Sequence, residues 1–499
     1  MPESSNQIRI AHAGGILLLT QIMGLFTGLL FIVLVIRNLS LGDFGIWQLT
    51  GSIVGISAFP SAVIATWSIR DTARGEPVGR TAIIAGALTI PLSSLILWFI
   101  VIGVGTRIEE ILTVLLFALF YLSTLTIFES VKGAVQGSNP SLGGYSTIPF
   151  ELVKVGMAYY LVVVAKWGVH GAIAALGIAY FAQNAFLIYS IRKSFEAKFN
   201  LQKVRKWFNA SWVPTLQMVV SRIWLADTVV VGFLLANPEP IGLLQGARVF
   251  AAIIAYSEIF PKILYPKLIR DRKSADITVA SRLQVLFAMP IAVGGFVLAE
   301  DLLHVLGPQY LSAVPVLRLL AIFVVIEGFE HLMGFVLQGT DTRDFSLAGA
   351  SFSNLRSSWL VKLPILELLK SILYFTMLAI LLLAFAHGAN TQAVVLLWAL
   401  AYGLAVIPFA AIKALYARKI ISLSLPIKET ILYIICALVM GGVLYVIKPS
   451  ETATQLGTVE ALVRLLIPVF VGGGIYLGLV LLLDSYSRRS IRNFVQRQR

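Results

Sequence analysis

Long apolar runs, each closed by a few polar residues, recur from one end of the 499-residue chain to the other. A membrane-crossing helix needs about 20 mostly apolar residues. Fourteen stretches qualify, at about 13–36, 44–66, 81–104, 111–130, 145–165, 170–191, 212–235, 241–260, 284–304, 312–337, 358–386, 391–412, 429–447 and 462–484. The pattern predicts an all-α membrane protein with about 14 transmembrane helices. The run after the polar start MPESSNQIR is about 23 residues, longer than a signal-peptide core, so it is expected to stay as the first span.

The pattern also repeats. Between the first two spans, Arg37-Asn38 and Gly42-Asp43 form a polar turn, and Gly45-Ile46-Trp47-Gln48 opens the next helix. About 197 positions later, after Asn237-Pro238-Glu239-Pro240, Gly242-Leu243-Leu244-Gln245 does the same. Phe128-Glu129, Gly133 and Gln136-Gly137 close one span, and Phe329-Glu330, Gly334 and Gln338-Gly339 close another. The helices that follow carry Pro149, Glu151, Lys154 and again Pro364, Glu367, Lys370. Three echoes in one order predict two copies of a six-helix unit, a duplication typical of transporters. Two spans remain over. The expected architecture is two pseudo-symmetric six-helix lobes, 1–194 and 211–420, joined by a basic cytoplasmic linker, 195–210, and followed by two extra helices and a basic tail, 421–499.

Composition agrees. The mean hydropathy is +0.87, and 13% of residues are charged against about 25% in soluble domains. With the N-terminus inside, inner loops receive Arg70, Arg74, Arg80, Lys132, Arg192, Lys193, Lys198, Lys203, Arg205 and Lys206 from the first half. From the second half they receive Lys262, Lys267, Arg270, Arg272, Lys273, Arg282, Arg343, Arg356, Lys413, Arg418, Lys419 and Lys428, with five more arginines in the tail. Outer loops hold Arg37, Arg107, Lys166 and Lys448, with Arg464 opening the last span. The split predicts a multi-pass protein of the cell membrane with both termini cytoplasmic. It also gives the +14 net charge a home, so nucleic acid is not an expected partner. The single Cys436 excludes an internal disulfide, and the five scattered histidines suggest no metal site. In the linker, Phe195, Phe199, Val204 and Phe208 fit one face of a helix lying on the membrane, and a solvated basic linker is the other reading.

Ionisable groups inside the bilayer are costly and are functional candidates. They are Glu151, Lys154, Arg222, Asp227, Arg248, Arg318, Glu327, Glu330, Glu367 and Lys370, with Glu258 near an inner end. Asp227 and Arg248 fall at matching depths on successive antiparallel helices, where they form either an ion pair or part of a site. Lys154 and Lys370 each follow a glutamate by three residues, so each can be neutralised across one turn. They also hold the same place in each repeat, where they could face a central cavity. With Arg222, Arg248 and Arg318 they would make a basic patch for an anion such as a lipid phosphate. Glu151, Asp227, Glu327 and Glu367 are the expected coupling or ion-pair partners. Gly24/Gly28 and Gly51/Gly55 suit close helix packing. Gly472-Gly473-Gly474 lacks the lysine and hydroxyl of a phosphate loop. No Walker motif, nucleophile elbow or soluble domain suggests an enzyme, and no cofactor is expected.

The stretch Arg37-Asn38-Leu39-Ser40-Leu41-Gly42-Asp43-Phe44-Gly45 resembles the first-loop signature of prokaryotic polysaccharide flippases, roughly R-x-L-x-x-x-x-[FY]-G. Asp227 to Gln245 is similar to the matching segment of the second lobe, and the Gln-Gly ends are similar as well. The resemblance is to the polysaccharide transport branch of the multidrug/oligosaccharidyl-lipid/polysaccharide exporter superfamily. It implies two lobes in a V, alternating access, and movement of a polyprenyl-linked oligosaccharide from the inner to the outer leaflet. Implied partners are the lipid-linked oligosaccharide, membrane lipids, and glycosyltransferases or a polymerase of the same pathway. The rivals are a cation-coupled drug or metabolite exporter, a non-transporting scaffold and a membrane-embedded transferase. The exporter would be expected to carry a carboxylate in its opening helix, and Ala13–Val35 has none.

Overall fold

The computed structural model describes residues 20, 23–24, 26–138, 140–192, 198–209, 218–220, 222–262, 268, 274–341, 358–386, 388–420, 425–447, 458–485 and 488. Among them the regular structure is helical, and no strand occurs. They form two compact units, Met1–Gly242 and Leu243–Arg499.

The first unit contains α1 (Phe26–Arg37), α2 (Leu41–Ser57), α3 (Phe59–Ala73), α4 (Gly79–Gly105), α5 (Leu115–Ser138), α6 (Pro140–Ala158, extended by a wider π-helical turn Tyr159–Val164), α7 (Gly168–Ser190), α8 (Leu201–Asn209) and α9 (Ala226–Leu235). Helix α10 (Glu239–Ala255) crosses the division between the units. The second unit continues with α11 (Ser274–Val297), α12 (Ala299–Leu306), α13 (Val314–Thr340), α14 (Trp359–Phe385), α15 (Thr391–Ile420), α16 (Ile427–Ile447) and α17 (Thr458–Leu483).

Eleven helices among the described residues are long and apolar enough to cross a membrane. Helices α2 and α3 meet the same criterion as a pair, bent by 52° at their junction, and α1 and α9 are shorter apolar helices. Each of the fourteen stretches read from the sequence holds one of these, so the chain is an all-α, multi-pass membrane protein. At 284–304 the boundary shifts: the spanning helix begins near residue 275 and α12 stands apart. This places Arg282 inside a span, where the sequence pattern put it in an inner loop. The charge is tolerated because Arg282 donates to Asp484 at 2.5 Å and to the Tyr433 hydroxyl at 2.7 Å. Tyr433 donates in turn to Asp484 at 2.7 Å. This triad fastens α11 to the last two helices, beside an apolar cluster of Leu298, Cys436, Met440, Leu444 and Tyr476.

In the first unit, α5 packs on α3, α4 and α7, and α7 packs on α6. In the second, α13 packs on α15 and α11, and α15 packs on α14. Each unit therefore has a long helix at its middle, flanked by the helix that carries the Pro-Glu-Lys echo.

The repeated turn has a clear local chemistry. Ser40 caps α2: its hydroxyl oxygen accepts from the Asp43 amide at 3.0 Å, and the hydroxyl donates to the Asp43 carboxylate at 2.7 Å. One turn on, Gly45 meets the backbone of Pro238, and a Cβ there would stand 2.0 Å from the Pro238 carbonyl oxygen. Reciprocally, a Cβ on Gly242 would stand 2.3 Å from the Leu41 carbonyl oxygen. The two echoed glycines thus lie against each other's turns, backbone on backbone. Not every small residue works this way. A Cβ at Gly28 or Gly51 meets nothing within 4 Å, whereas one at Gly55 would press on Leu225. The close-packing role expected of both pairs therefore does not hold at Gly28 or Gly51.

The linker helix α8 is docked on protein. Val204 and Trp207 bury against Ile64, Val78, Ala82, Ala85 and Ala134, with Phe199 alongside. The Trp207 indole N–H donates to Asp71 at 2.9 Å, Lys203 pairs with Glu76, and the Asn200 amide donates to Thr81 at 3.2 Å. Phe208 is exposed, and Phe195 lies outside the described residues. Of the described positions, Phe199 and Val204 face protein and only Phe208 is exposed, because the indole and the two ion-pairing groups turn Val204 inward.

Gly45→Ala and Gly242→Ala are expected to destabilise the folded protein by about 1–3 kcal/mol through overpacking. Gly51→Ala, in open space within a helix, should instead be neutral or stabilising by up to about 1 kcal/mol. Thermal unfolding of the three purified variants checks the contrast, and equal shifts would contradict the glycine crossing.

Candidate functional site

The second unit gathers three buried charges and one half-buried one, Glu367, from three helices. Lys370 on α14 is 1% exposed and contacts both carboxylate oxygens of Glu330 on α13 at 2.9 Å. One turn back on its own helix, Glu367 meets it at 2.7 Å. Lys413 on α15, also 1% exposed, donates to Glu330 at 2.5 Å and pairs with Glu367 as well. Two ammonium groups and two carboxylates thus close a four-membered network. Each charge removed from water has two opposite partners, the condition under which a buried pair is tolerable.

Around it lie further polar contacts. The Tyr402 hydroxyl donates to Glu327 at 2.5 Å. The Trp398 indole donates to the Tyr374 hydroxyl at 2.8 Å, and the Arg248 guanidinium sits over the Trp398 ring, 5.5 Å from its centre. Glu258, which the sequence let reach the interface, is buried and accepts from His331 Nδ1 at 2.9 Å. Arg318 lies apart from this cluster. Its Nε donates to the Phe296 carbonyl at 3.2 Å, and the guanidinium covers the Phe296 ring at 5.4 Å.

The first unit carries a leaner version. Lys154 on α6 is buried and pairs with Glu151 at 2.6 Å. Thr27 on α1 donates to the same carboxylate at 2.5 Å. The ammonium lies between the Phe31 and Phe150 rings, 5.4 and 5.0 Å from their centres, where the ring faces add cation–π attraction. Arg222 donates to the backbone carbonyl of Gly55. Asp227 is buried and accepts from the Thr228 hydroxyl at 2.9 Å.

The echoed residues therefore do echo in their contacts: Glu151–Lys154 and Glu367–Lys370 are both one-turn ion pairs. Lys154 and Lys370 are paired inside their own units. Asp227 and Arg248 belong to different units, and each is described by its own neighbours. Two residues were given no role in the predicted site. Glu330 stood in an echo but not in the binding set. Lys413 was counted with the inner loops because the apolar run ends at 412, yet α15 continues to Ile420 and carries it into the interior. The only sequence signal for it was the unmatched charge of Glu330.

No family model matches the chain. The chain is 24% identical over 368 residues to a protein of Haloferax volcanii named probable flippase AglR, a match spanning 67% of this chain and 73% of that one. The lipid II flippase MurJ, in an inward closed conformation, aligns with a TM-score of 0.62 at 16% identity, over 95% of this chain and 99% of its own. An inward-facing multidrug resistance transporter of the MATE family, in the MOP superfamily, aligns with a TM-score of 0.52 at 13% identity, over 80% of this chain and 96% of its own. The chain shares its fold with these two solved structures.

Removing one member of the four-charge network strands the others. Lys413→Met is expected to cost about 3–5 kcal/mol, and adding Glu330→Gln should restore part of it by removing the orphaned charge. Unfolding of the single and double variants in detergent tests this; additive losses would break the network reading.

Proposed function

We propose that this chain is a flippase that carries a polyprenyl-phosphate-linked oligosaccharide from the inner to the outer leaflet by alternating access, in the assembly of cell-surface glycans. The observation that carries the reading is the pair of buried lysines, one per unit, each on the helix of the Pro-Glu-Lys echo and each held by a neighbouring glutamate. A lysine held this way is an anion site in waiting, since a phosphate that displaces the glutamate keeps the ammonium neutralised. The similarity to a probable flippase and the fold shared with a lipid II flippase support the same direction. In this reading the chain transports and does no chemistry. Its termini are cytoplasmic, and its helices divide as six plus six plus two.

Within that reading Lys154, Arg222, Arg248, Arg318 and Lys370 contact the phosphate and sugar. Glu151, Asp227, Glu327 and Glu367 release and recapture them. A cation-coupled exporter is the second reading, favoured by the fold it shares with a multidrug transporter and opposed by the acid-free first span. A non-transporting scaffold of a polysaccharide assembly complex is the third.

Transport of a fluorescent polyprenyl-pyrophosphate oligosaccharide into the outer leaflet of proteoliposomes is the test. Lys154→Gln and Arg222→Ala, checked for folding, are expected to slow transport by at least about tenfold each, the loss of one charge-assisted contact. Equal rates in all well-folded variants would take the site away from these residues. No transport by the unaltered chain would favour the exporter or the scaffold.

A further inference from the structure

Three helices of the first unit bring four aromatic rings together within the membrane. Tyr121 on α5 and Tyr180 on α7 stack with centres 5.8 Å apart and planes within 20°. Phe128 on α5 and Phe150 on α6 stand 5.1 and 4.7 Å from the Tyr180 ring. Glu129, next to Phe128, belongs to the spanning stretch Leu115–Gln136. Rings between helices ordinarily serve packing, and these do pack. Yet all four are partly exposed, as is Glu129. Among the described residues, neither tyrosine hydroxyl makes a hydrogen bond, and Glu129 has neither a hydrogen bond nor an ion pair.

A carboxylate that is partly exposed inside a span faces a hydrated recess, because hydrocarbon would not tolerate it. Charges surround the rings. Glu129 and Arg222 are near enough to Tyr121, and Glu129 and Glu151 near enough to Tyr180, to act on them electrostatically. Lys154 lies over Phe150. The second unit is closed at the corresponding place. Glu330, the echo of Glu129, is 0% exposed and held by two lysines, and the Tyr402 hydroxyl is taken by Glu327.

Resting on the flippase reading above, the geometry points to a saccharide platform in the first unit: Tyr121 and Tyr180, flanked by Phe128 and Phe150, take the C–H face of a pyranose ring, and Glu129 accepts its hydroxyls. Aromatic faces carry a negative quadrupole that attracts the weakly positive C–H groups of such a ring. An ionised carboxylate accepts hydrogen bonds only, and sugar hydroxyls can supply them. Lys154, over the Phe150 ring, adjoins the platform as a cation for the phosphate of the same head group.

The test compares binding of two probes to the full chain in nanodiscs: bare polyprenyl phosphate, and polyprenyl phosphate bearing one glucose. The unaltered chain should bind the glucosylated lipid at least about fivefold more tightly. Tyr180→Ala should abolish that preference and leave affinity for the bare lipid unchanged. Glu129→Gln, which keeps size and packing, should cut the preference at least about twofold, and Tyr180→Phe should retain most of it. If Glu129→Gln and a folded Tyr180→Ala keep the full preference, the platform is wrong. Equal binding of both probes by the unaltered chain overturns the platform and leaves the flippase reading standing. Failure to bind either probe overturns both.

Discussion

Charge has no place in hydrocarbon unless an opposite charge or a hydrogen-bonding group meets it, and this constraint organises the interior of both units. In the second, Glu330 satisfies Lys370 and Lys413 together, and Glu367 closes the set from the other side. Three helices meet at one network, so α13, α14 and α15 cannot slide independently without stranding an ion. The triad of Arg282, Tyr433 and Asp484 applies the same rule to the final helices. Apolar surfaces fill the volume between helices; the ion pairs choose which surfaces face each other, because wrong pairings leave a bare charge.

A second device works where no side chain fits. At the start of α2 the Ser40 cap fixes the direction of the helix, and Gly45 and Gly242 let two turns touch through their backbones. The sequence set the two glycines in matching turns without showing what they do there. The repeat preserves a close approach between backbones, which a match of letters cannot show.

Much of the fold was legible because a bilayer demands long apolar runs, and such runs can be counted. The boundaries at Arg282 and Lys413 were not legible. A charge ends an apolar run in the sequence but not in the structure when its partner comes from a helix far along the chain, as Asp484 does for Arg282. Within the candidate site, Glu151–Lys154 and Glu367–Lys370 could be read from spacing alone, since one helical turn settles the contact. Glu330 with Lys413 could not, because 83 positions separate them. Nor could the stacking of Tyr121 on Tyr180, since an aromatic residue in an apolar run carries no mark of the helix it will face. The docking of α8 was hidden for a related reason: Val204 and Trp207 fit a lipid surface or a protein surface equally well by pattern.

The four-charge network has an electrical consequence. Its two ammonium groups and two carboxylates sum to zero, so displacing the cluster as one body through the membrane's field does no net work. A lone ion moved across that field would exchange about 2.3 kcal/mol for each 100 mV. Moved as one body, the network is therefore blind to the membrane potential.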